Sequence, residues 1–190
     1  MSKGRLEAFS DAVIAIAITI MVLELKIPHG GDAAALRAVL PPFLMYVLSF
    51  VMLGIYWTNH HHMLHATTKI SGGVLWANLH LLFWLSVVPV VTAWMGDNYR
   101  ASLPTAVYGA VLILCAIAYQ LLVNCIIAIE GPHSRLKKAL GRDLKGWGSL
   151  GLYAVAIGVA FVVPAISDAL YVTVALIWLV PDRRIESTLG

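Results

Sequence analysis

The sequence contains few charged residues, and this scarcity excludes most soluble folds. Only 12% of its 190 residues are Asp, Glu, Lys or Arg, whereas 60% are hydrophobic. A soluble domain usually carries about twice this charged fraction. Repeated apolar runs of membrane-spanning length in such a chain are typical of an integral membrane protein. We therefore predict an all-α membrane protein with a single domain over residues 1–190.

Cysteine is also scarce. The two cysteines, Cys115 and Cys125, lie in one apolar run, and ten residues of helix separate them by about 15 Å. This distance excludes a disulfide between them within the chain. Both are predicted to be buried apolar side chains.

Motifs of enzymes and of cleaved leader peptides are missing as well. The sequence has no nucleophile elbow, no Walker loop and no dinucleotide fingerprint, so neither an enzyme nor a cofactor is predicted. The first apolar run is too long for a signal peptide, and no cleavage site of small residues follows it. We expect this run to be the first span of the mature protein. The net charge of +3 is modest. We attribute the basic residues to membrane topology and predict no nucleic-acid partner.

Six apolar segments predict six transmembrane helices. The prolines at 41 and 42 are interpreted as a helix start, and the long final run is divided into two short helices because Pro164 and Asp168 interrupt it. A short polar tail is expected at about 182–190. The predicted segments cover about 8–27, 41–66, 74–94 and 104–129, with the two short helices between 147 and 180.

The distribution of Lys and Arg predicts the topology. With six spans, ten of these residues lie on the side of the termini and three on the other side, at Lys26, Arg37 and Arg100. Cytoplasmic loops of membrane proteins are enriched in Lys and Arg, so both termini are predicted to be cytoplasmic and the protein to reside in the cell membrane.

The first apolar segment carries a stripe at helical spacing. If the stripe faces lipid, the hydroxyl of its one polar member bonds to a carbonyl of the preceding turn. If it faces copies of itself around an axis, it forms rings of aliphatic side chains with one ring of hydroxyls, which is a narrow apolar pore. The stripe consists of Ala12, Ile16, Thr19, Ile20, Leu23 and Ile27.

Polar residues precede the stripe. Ser10 and Asp11 suit a helix start, where acceptors bind free amides, but an unpaired carboxylate within a membrane is costly, so a partner from another segment is expected for Asp11. Arg5 lies too far along the helix to be that partner. Candidate partners occur at the facing ends of the second and third spans, namely Trp57, Asn59, His60, His61, Asn78 and His80.

Two histidines have the spacing of zinc ligands on one helix face. His61 and His65 are four residues apart, but a zinc site needs a third ligand and no Glu lies beside them. We interpret them as interfacial or hydrogen-bonding residues and predict no metal.

The combination of these motifs resembles the transmembrane protein 175 family, the endosomal and lysosomal potassium channels of animals and their shorter prokaryotic relatives. The resemblance rests on Arg5-x-x-x-Phe9-Ser10-Asp11 at the start of the first span and Trp57-x-x-His60 in the second. It continues with Asn78-Leu79 and Pro89 in the third span.

The resemblance implies a homotetramer, because prokaryotic members carry one six-helix repeat, with the first helix of each subunit lining a central pore. It implies an aliphatic constriction at Ile16, a hydroxyl level at Thr19, and an outer constriction at Leu23 or Ile20. The permeant ions would be K⁺ and other monovalent cations. The family's polar network would join Arg5, Ser10 and Asp11 to Trp57, Asn78 and either His60 or His61, beside Phe9.

Two other functions stay open on the sequence. A proton-coupled secondary transporter would use Asp11 and the histidines from His60 to His65 as a proton relay. Such a carrier often has an inverted internal repeat, and none is detected. A membrane metalloprotein would be built on His61 and His65. The partners expected for a channel are the permeant cations, the lipid bilayer and copies of the same chain, with no nucleic acid.

Overall fold

In the computed structural model, the described residues are 2–131, 134, 136–137 and 144–179, and they are all-helical apart from short connections. The predicted polar tail at 182–190 lies outside them. The described part contains six helices of sixteen residues or more. These are α1 (Lys3–Leu23), α2 (Ala33–Ala66), α3 (Gly72–Asp97), α4 (Ser102–Glu130), α5 (Leu144–Ala160) and α6 (Pro164–Leu179).

Four of these helices, α1 to α4, are long and apolar enough to cross a bilayer. The other two are shorter, with 17 residues in α5 and 16 in α6. The predicted division of the last apolar run is confirmed, since α6 begins at Pro164, where a missing amide hydrogen costs nothing. Asp168 lies inside α6 and does not end a helix.

The first helix is displaced from its predicted position. It begins at Lys3 and ends at Leu23, whereas the apolar run predicted about 8–27. Polar residues with good helix propensity extend it at the start. Ile27 precedes Pro28, which disfavours helical backbone, so the last member of the predicted stripe lies outside the helix.

The second helix corrects the interpretation of the proline pair. It begins at Ala33 behind Asp32, whose Oδ1 accepts a hydrogen bond from the Ala35 amide at 2.8 Å. Pro41 and Pro42 lie inside the helix. The capping aspartate and the run of alanines that follows it start the helix earlier than the prolines do.

The third and fourth helices form the centre of the bundle. α3 packs against α1, α2 and α4, and α4 also contacts α5 and α6. Side chains such as Leu81 and Leu85 of α3 and Leu112 of α4 are at most 1% exposed. Cys115 is fully buried and Cys125 is partly buried, and both are free thiols. This core holds α1 against the flank of α3.

Candidate functional site

The first helix has one packed face and one exposed face. Its buried side chains are Leu6, Ser10, Ile14, Ala17 and Met21, which follow each other at three- and four-residue spacing. This spacing places all of them on a single face. The predicted stripe lies on the other face.

The exposed face carries the predicted stripe as far as the helix end. Ile16 is 58% exposed, Ile20 is 43% exposed and Leu23 is 77% exposed. Thr19 is also exposed, and its hydroxyl donates a hydrogen bond to the Ala15 carbonyl at 2.7 Å. The chain therefore leaves a row of aliphatic side chains uncovered, with one hydroxyl oxygen among them.

A chain of buried hydrogen bonds fixes the packed face of α1. Asn78 Nδ2 donates to Ser10 Oγ at 2.9 Å, and Asn78 Oδ1 lies 2.7 Å from His60 Nε2. Because an amide oxygen only accepts, the imidazole Nε2 carries the proton and donates. The Ser10 hydroxyl donates in turn to the Leu6 carbonyl at 2.8 Å. These side chains are at most 1% exposed, so one continuous network joins α1, α3 and α2.

A second bond joins α1 to α2 nearer the surface. The indole Nε1 of Trp57 donates to Asp11 Oδ1 at 2.9 Å. Both residues are exposed. Trp57 is 46% exposed, and Asp11 lies on the exposed face of α1. Asp11 thus has the partner from another segment that the sequence predicted.

Three of the predicted network residues lie outside these bonds. Arg5 is exposed, and its side chain forms no hydrogen bond or ion pair with any residue that the structure describes. Phe9 is 48% exposed. His61 is exposed, with its ring 6.4 Å from that of Trp57 between centroids. Of the two adjacent histidines, His60 is therefore the one that the structure bonds to Asn78.

Two other candidate partners serve different contacts. The main-chain carbonyl of Asn59 accepts a hydrogen bond from the Tyr119 hydroxyl at 3.2 Å, and His80 Nε2 accepts one from the Trp84 indole at 3.0 Å. Neither side chain is bonded to α1.

The rings of His61 and His65 stack on each other. The two rings lie nearly parallel, 6.2 Å apart between centroids. Across the described ranges, no group of three or more His, Cys, Asp and Glu is close enough to hold a metal ion.

One polar contact was not predicted from the sequence. Lys26, which the sequence analysis used only for the topology, follows the end of α1, and its Nζ lies 2.6 Å from the carboxylate of Asp97 at the end of α3. The two residues are separated by 71 positions, so no local pattern indicates the pair.

Comparison with known proteins identifies the family. Residues 5–89 match the family model described as endosomal/lysosomal potassium channel TMEM175. A potassium channel from Chryseobacterium sp. (strain P1-3) is 53% identical over 189 residues, which cover 100% of this chain and 98% of the relative. An endosomal/lysosomal proton channel TMEM175 from Rattus norvegicus is 30% identical over 131 residues, covering 63% of this chain and 26% of that protein.

A solved structure has the same fold. The crystal structure of a lysosomal potassium-selective channel TMEM175 homolog from Chamaesiphon minutus superimposes with a TM-score of 0.84 at 26% sequence identity. The match covers 95% of this chain and 97% of that one.

The apolar helical bundle and these relatives define a multi-pass membrane protein of the ion-channel class, not an enzyme. The chain belongs to the TMEM175 family, as the motifs of the first three helices indicated.

Proposed function

We propose that the protein is a potassium-permeable cation channel of the cell membrane. In this proposal it is a homotetramer, and α1 of each subunit lines a central pore. The observation that carries the proposal is the exposed stripe on α1, opposite a face fixed by buried hydrogen bonds. The names of the Chryseobacterium relative and of the solved Chamaesiphon channel support potassium as the permeant ion.

The constriction is assigned to the aliphatic members of the stripe. Four copies of Ile16 would form a ring of branched side chains, and Ile20 and Leu23 would form further rings towards the helix end. Apolar rings of this kind resist hydration and gate a narrow pore by dewetting. The exposure of these side chains in the single subunit supports this role. Exposed apolar side chains must be covered by neighbouring copies or by lipid.

Thr19 is assigned to ion selectivity. A hydroxyl has one donor hydrogen and two acceptor lone pairs. Its hydrogen is directed to the Ala15 carbonyl, so the lone pairs are free to contact a cation in the pore. Backbone bonding and a pore-lining role are therefore compatible. A single ring of hydroxyls offers fewer oxygens than a cage of carbonyls, so weak selectivity for K⁺ is expected.

The polar network is proposed to hold α1 at its pore-forming tilt. The buried bonds of Ser10, Asn78 and His60 and the bond between Asp11 and Trp57 all attach the first half of α1. An intramembrane hydrogen bond contributes about 0.6–2 kcal/mol, so several such bonds orient a helix that has neighbours on one face only. Arg5, Phe9 and His61 are assigned to the protein surface beside this network. Both termini are proposed to lie in the cytoplasm.

A proton-coupled transporter using Asp11 and the cluster from His60 to His65 is the alternative function. The name of the Rattus norvegicus relative, a proton channel, gives weight to proton permeation in the family. A carrier needs a continuous relay, however, and no described hydrogen bond connects Asp11 with His60. Potassium flux without any proton requirement distinguishes the channel from the carrier.

Replacing Thr19 by valine tests the selectivity assignment. Thr19→Val keeps the side-chain shape but removes the oxygen, so the K⁺/Na⁺ permeability ratio should fall severalfold towards one while current persists. Reversal potentials in planar bilayers under K⁺ and Na⁺ gradients measure this ratio. Thr19→Ser should preserve it.

A matched control for this test is Thr173→Val. The Thr173 hydroxyl is also exposed and donates to the preceding turn, at Ala169, but it lies on α6. An unchanged ratio in Thr19→Val, or an equal fall in Thr173→Val, would contradict the assignment.

Replacing Asp11 by alanine should weaken assembly more than selectivity. The substitution removes the acceptor of the Trp57 indole, so we expect the melting temperature of the purified oligomer to fall by a few degrees. Asp11→Asn keeps an acceptor oxygen and should retain most of the stability, while Trp57→Phe should reproduce the loss. Thermal unfolding monitored by tryptophan fluorescence suits the two Asp11 variants, and size-exclusion after heating suits all three. A fully stable Asp11→Ala oligomer with altered ion selectivity would show that Asp11 acts on the ion instead.

A further inference from the structure

A cavity of about 640 Å³ lies at the end of the bundle opposite the N-terminus. It is bounded by the residues that follow α1, by the first turns of α2 and by the last turn of α3. Sites for small ligands usually have volumes of roughly 300–1,000 Å³. The cavity is large enough for part of an amphiphile.

A close helix crossing shapes this cavity. A Cβ atom at Gly96 would lie only 2.9 Å from the Cα atom of Pro42, so the backbones of α2 and α3 touch at this point. Pro41 and Pro42 also lack amide hydrogens, which leaves the carbonyls of Arg37 and Ala38 without their usual helical donors. Arg37 and Ala38 both line the cavity.

The walls of the cavity are mainly apolar, and two partly exposed aromatic residues occur at the same end of α3. Leu36 is 64% exposed, Leu40 is 48% exposed and Phe43 is 47% exposed, and all three line the cavity. Trp94 and the lining residue Tyr99 are each 41% exposed. Trp and Tyr are enriched where membrane lipids meet water, so these two side chains favour a position of the cavity beside lipid headgroups.

The charges of the lining favour an anionic ligand. Two cations and one carboxylate line the cavity. The carboxylate of Asp97 is already paired with Lys26 at 2.6 Å. Arg37 is exposed, and its guanidinium has no hydrogen bond or ion pair to any residue in the described part of the chain. A guanidinium binds phosphate through two parallel hydrogen bonds.

We propose that this cavity binds one anionic phospholipid per subunit, with its phosphate on Arg37 and an acyl chain along Leu36, Leu40 and Phe43. An anionic phospholipid supplies a negatively charged partner for the Arg37 guanidinium. Its acyl chain supplies apolar surface that covers the exposed side chains of the walls. Hydroxyls of a glycerol headgroup would also supply donors for the carbonyls of Arg37 and Ala38. The lining of this site includes no residue of the α1 stripe, and binding of the lipid does not depend on ion conduction.

Native mass spectrometry of the purified, delipidated oligomer tests the proposal. Phosphatidylglycerol and phosphatidylcholine are added at equal concentrations, and retained lipid is counted per subunit. We expect one phosphatidylglycerol per subunit and at least tenfold weaker retention of phosphatidylcholine. Arg37→Gln should weaken phosphatidylglycerol binding about tenfold, since a charge-assisted hydrogen bond is lost. Arg37→Lys should retain part of the affinity, and Lys69→Gln, an exposed lysine at the opposite end of the bundle, should retain all of it.

A second variant covers the case in which Arg37→Gln does not assemble. Leu40→Trp keeps the guanidinium but fills the apolar wall, so it should also lose the lipid. Equal retention of both lipids, or wild-type retention by Arg37→Gln or Leu40→Trp, would overturn the proposal. Thermal stabilisation by inorganic phosphate equal to that by phosphatidylglycerol would show a site for free anions instead. Disulfide cross-linking of Leu36→Cys between subunits would show that a second copy fills the cavity. Because lipid retention is measured without ion flux, its failure leaves the channel proposal unaffected.

Discussion

Ile16→Asn is expected to increase the potassium conductance severalfold. In the proposed tetramer Ile16 forms the first aliphatic ring of the pore, and the residue is 58% exposed in the single chain. An amide at this position forms hydrogen bonds with water, so it removes the dewetted barrier that an apolar ring creates. The wider hydrated passage should also lower the preference for K⁺ over Na⁺. Single-channel recording of the purified protein in planar bilayers measures both quantities.

The control for this variant uses the same substitution on another helix. Ile166 of α6 is 51% exposed, close to the exposure of Ile16, but it does not belong to the stripe. Ile166→Asn should leave the conductance and ion preference unchanged. Size-exclusion chromatography must first show that both variants assemble as the wild type does. Unchanged conductance in an assembled Ile16→Asn protein would remove Ile16 from the conduction path.

Asn78→Leu is expected to have the largest effect on stability. The substitution leaves the buried His60 Nε2 without its described partner and removes the donor to Ser10 Oγ. An unsatisfied buried polar group costs about 1–3 kcal/mol, so we expect a loss of this order together with a smaller fraction of assembled protein. Reversible unfolding in mixed micelles, followed by circular dichroism, gives the free energy.

A double-mutant cycle separates the network from general damage to the core. Replacing both partners by apolar groups is less costly than removing one, so His60→Leu combined with Asn78→Leu should destabilise less than the sum of the single variants. Asn124→Leu, the same change on the exposed face of α4, should have little effect. If the losses in unfolding free energy were strictly additive, the hydrogen bond between His60 and Asn78 would contribute no coupling energy.

The helices themselves were largely predictable because each depends on a local pattern. Long apolar runs marked α1 to α4, and Pro164 correctly divided the last run. The start of α2 was predicted wrongly because the proline pair was given more weight than the cap. Asp32 followed by three alanines is a helix-start signal of its own. The part of α2 that contains the two prolines is largely exposed, and the helix continues through them.

The part of the site that lies within one helix was predictable from the sequence, whereas the contacts between helices were not. The stripe on α1 follows from helical periodicity within one segment. The choice between His60 and His61 does not, because adjacent residues point about 100° apart around a helix, and only the packing of α2 against α3 fixes which of them meets Asn78. The pair of Lys26 and Asp97 also depends on how distant segments pack together.

Potassium efflux from proteoliposomes containing the purified protein is the most direct test of the central claim that α1 lines a potassium-permeable pore. Vesicles loaded with K⁺ are diluted into K⁺-free buffer, with Na⁺- and Cs⁺-loaded vesicles in parallel and the proton gradient collapsed by an ionophore. We predict rapid K⁺ efflux that needs no proton gradient and no second substrate, with slower Na⁺ efflux. An intact oligomer that is silent towards all three cations, or one that moves K⁺ only with a coupled proton gradient, would contradict the channel mechanism and favour the carrier.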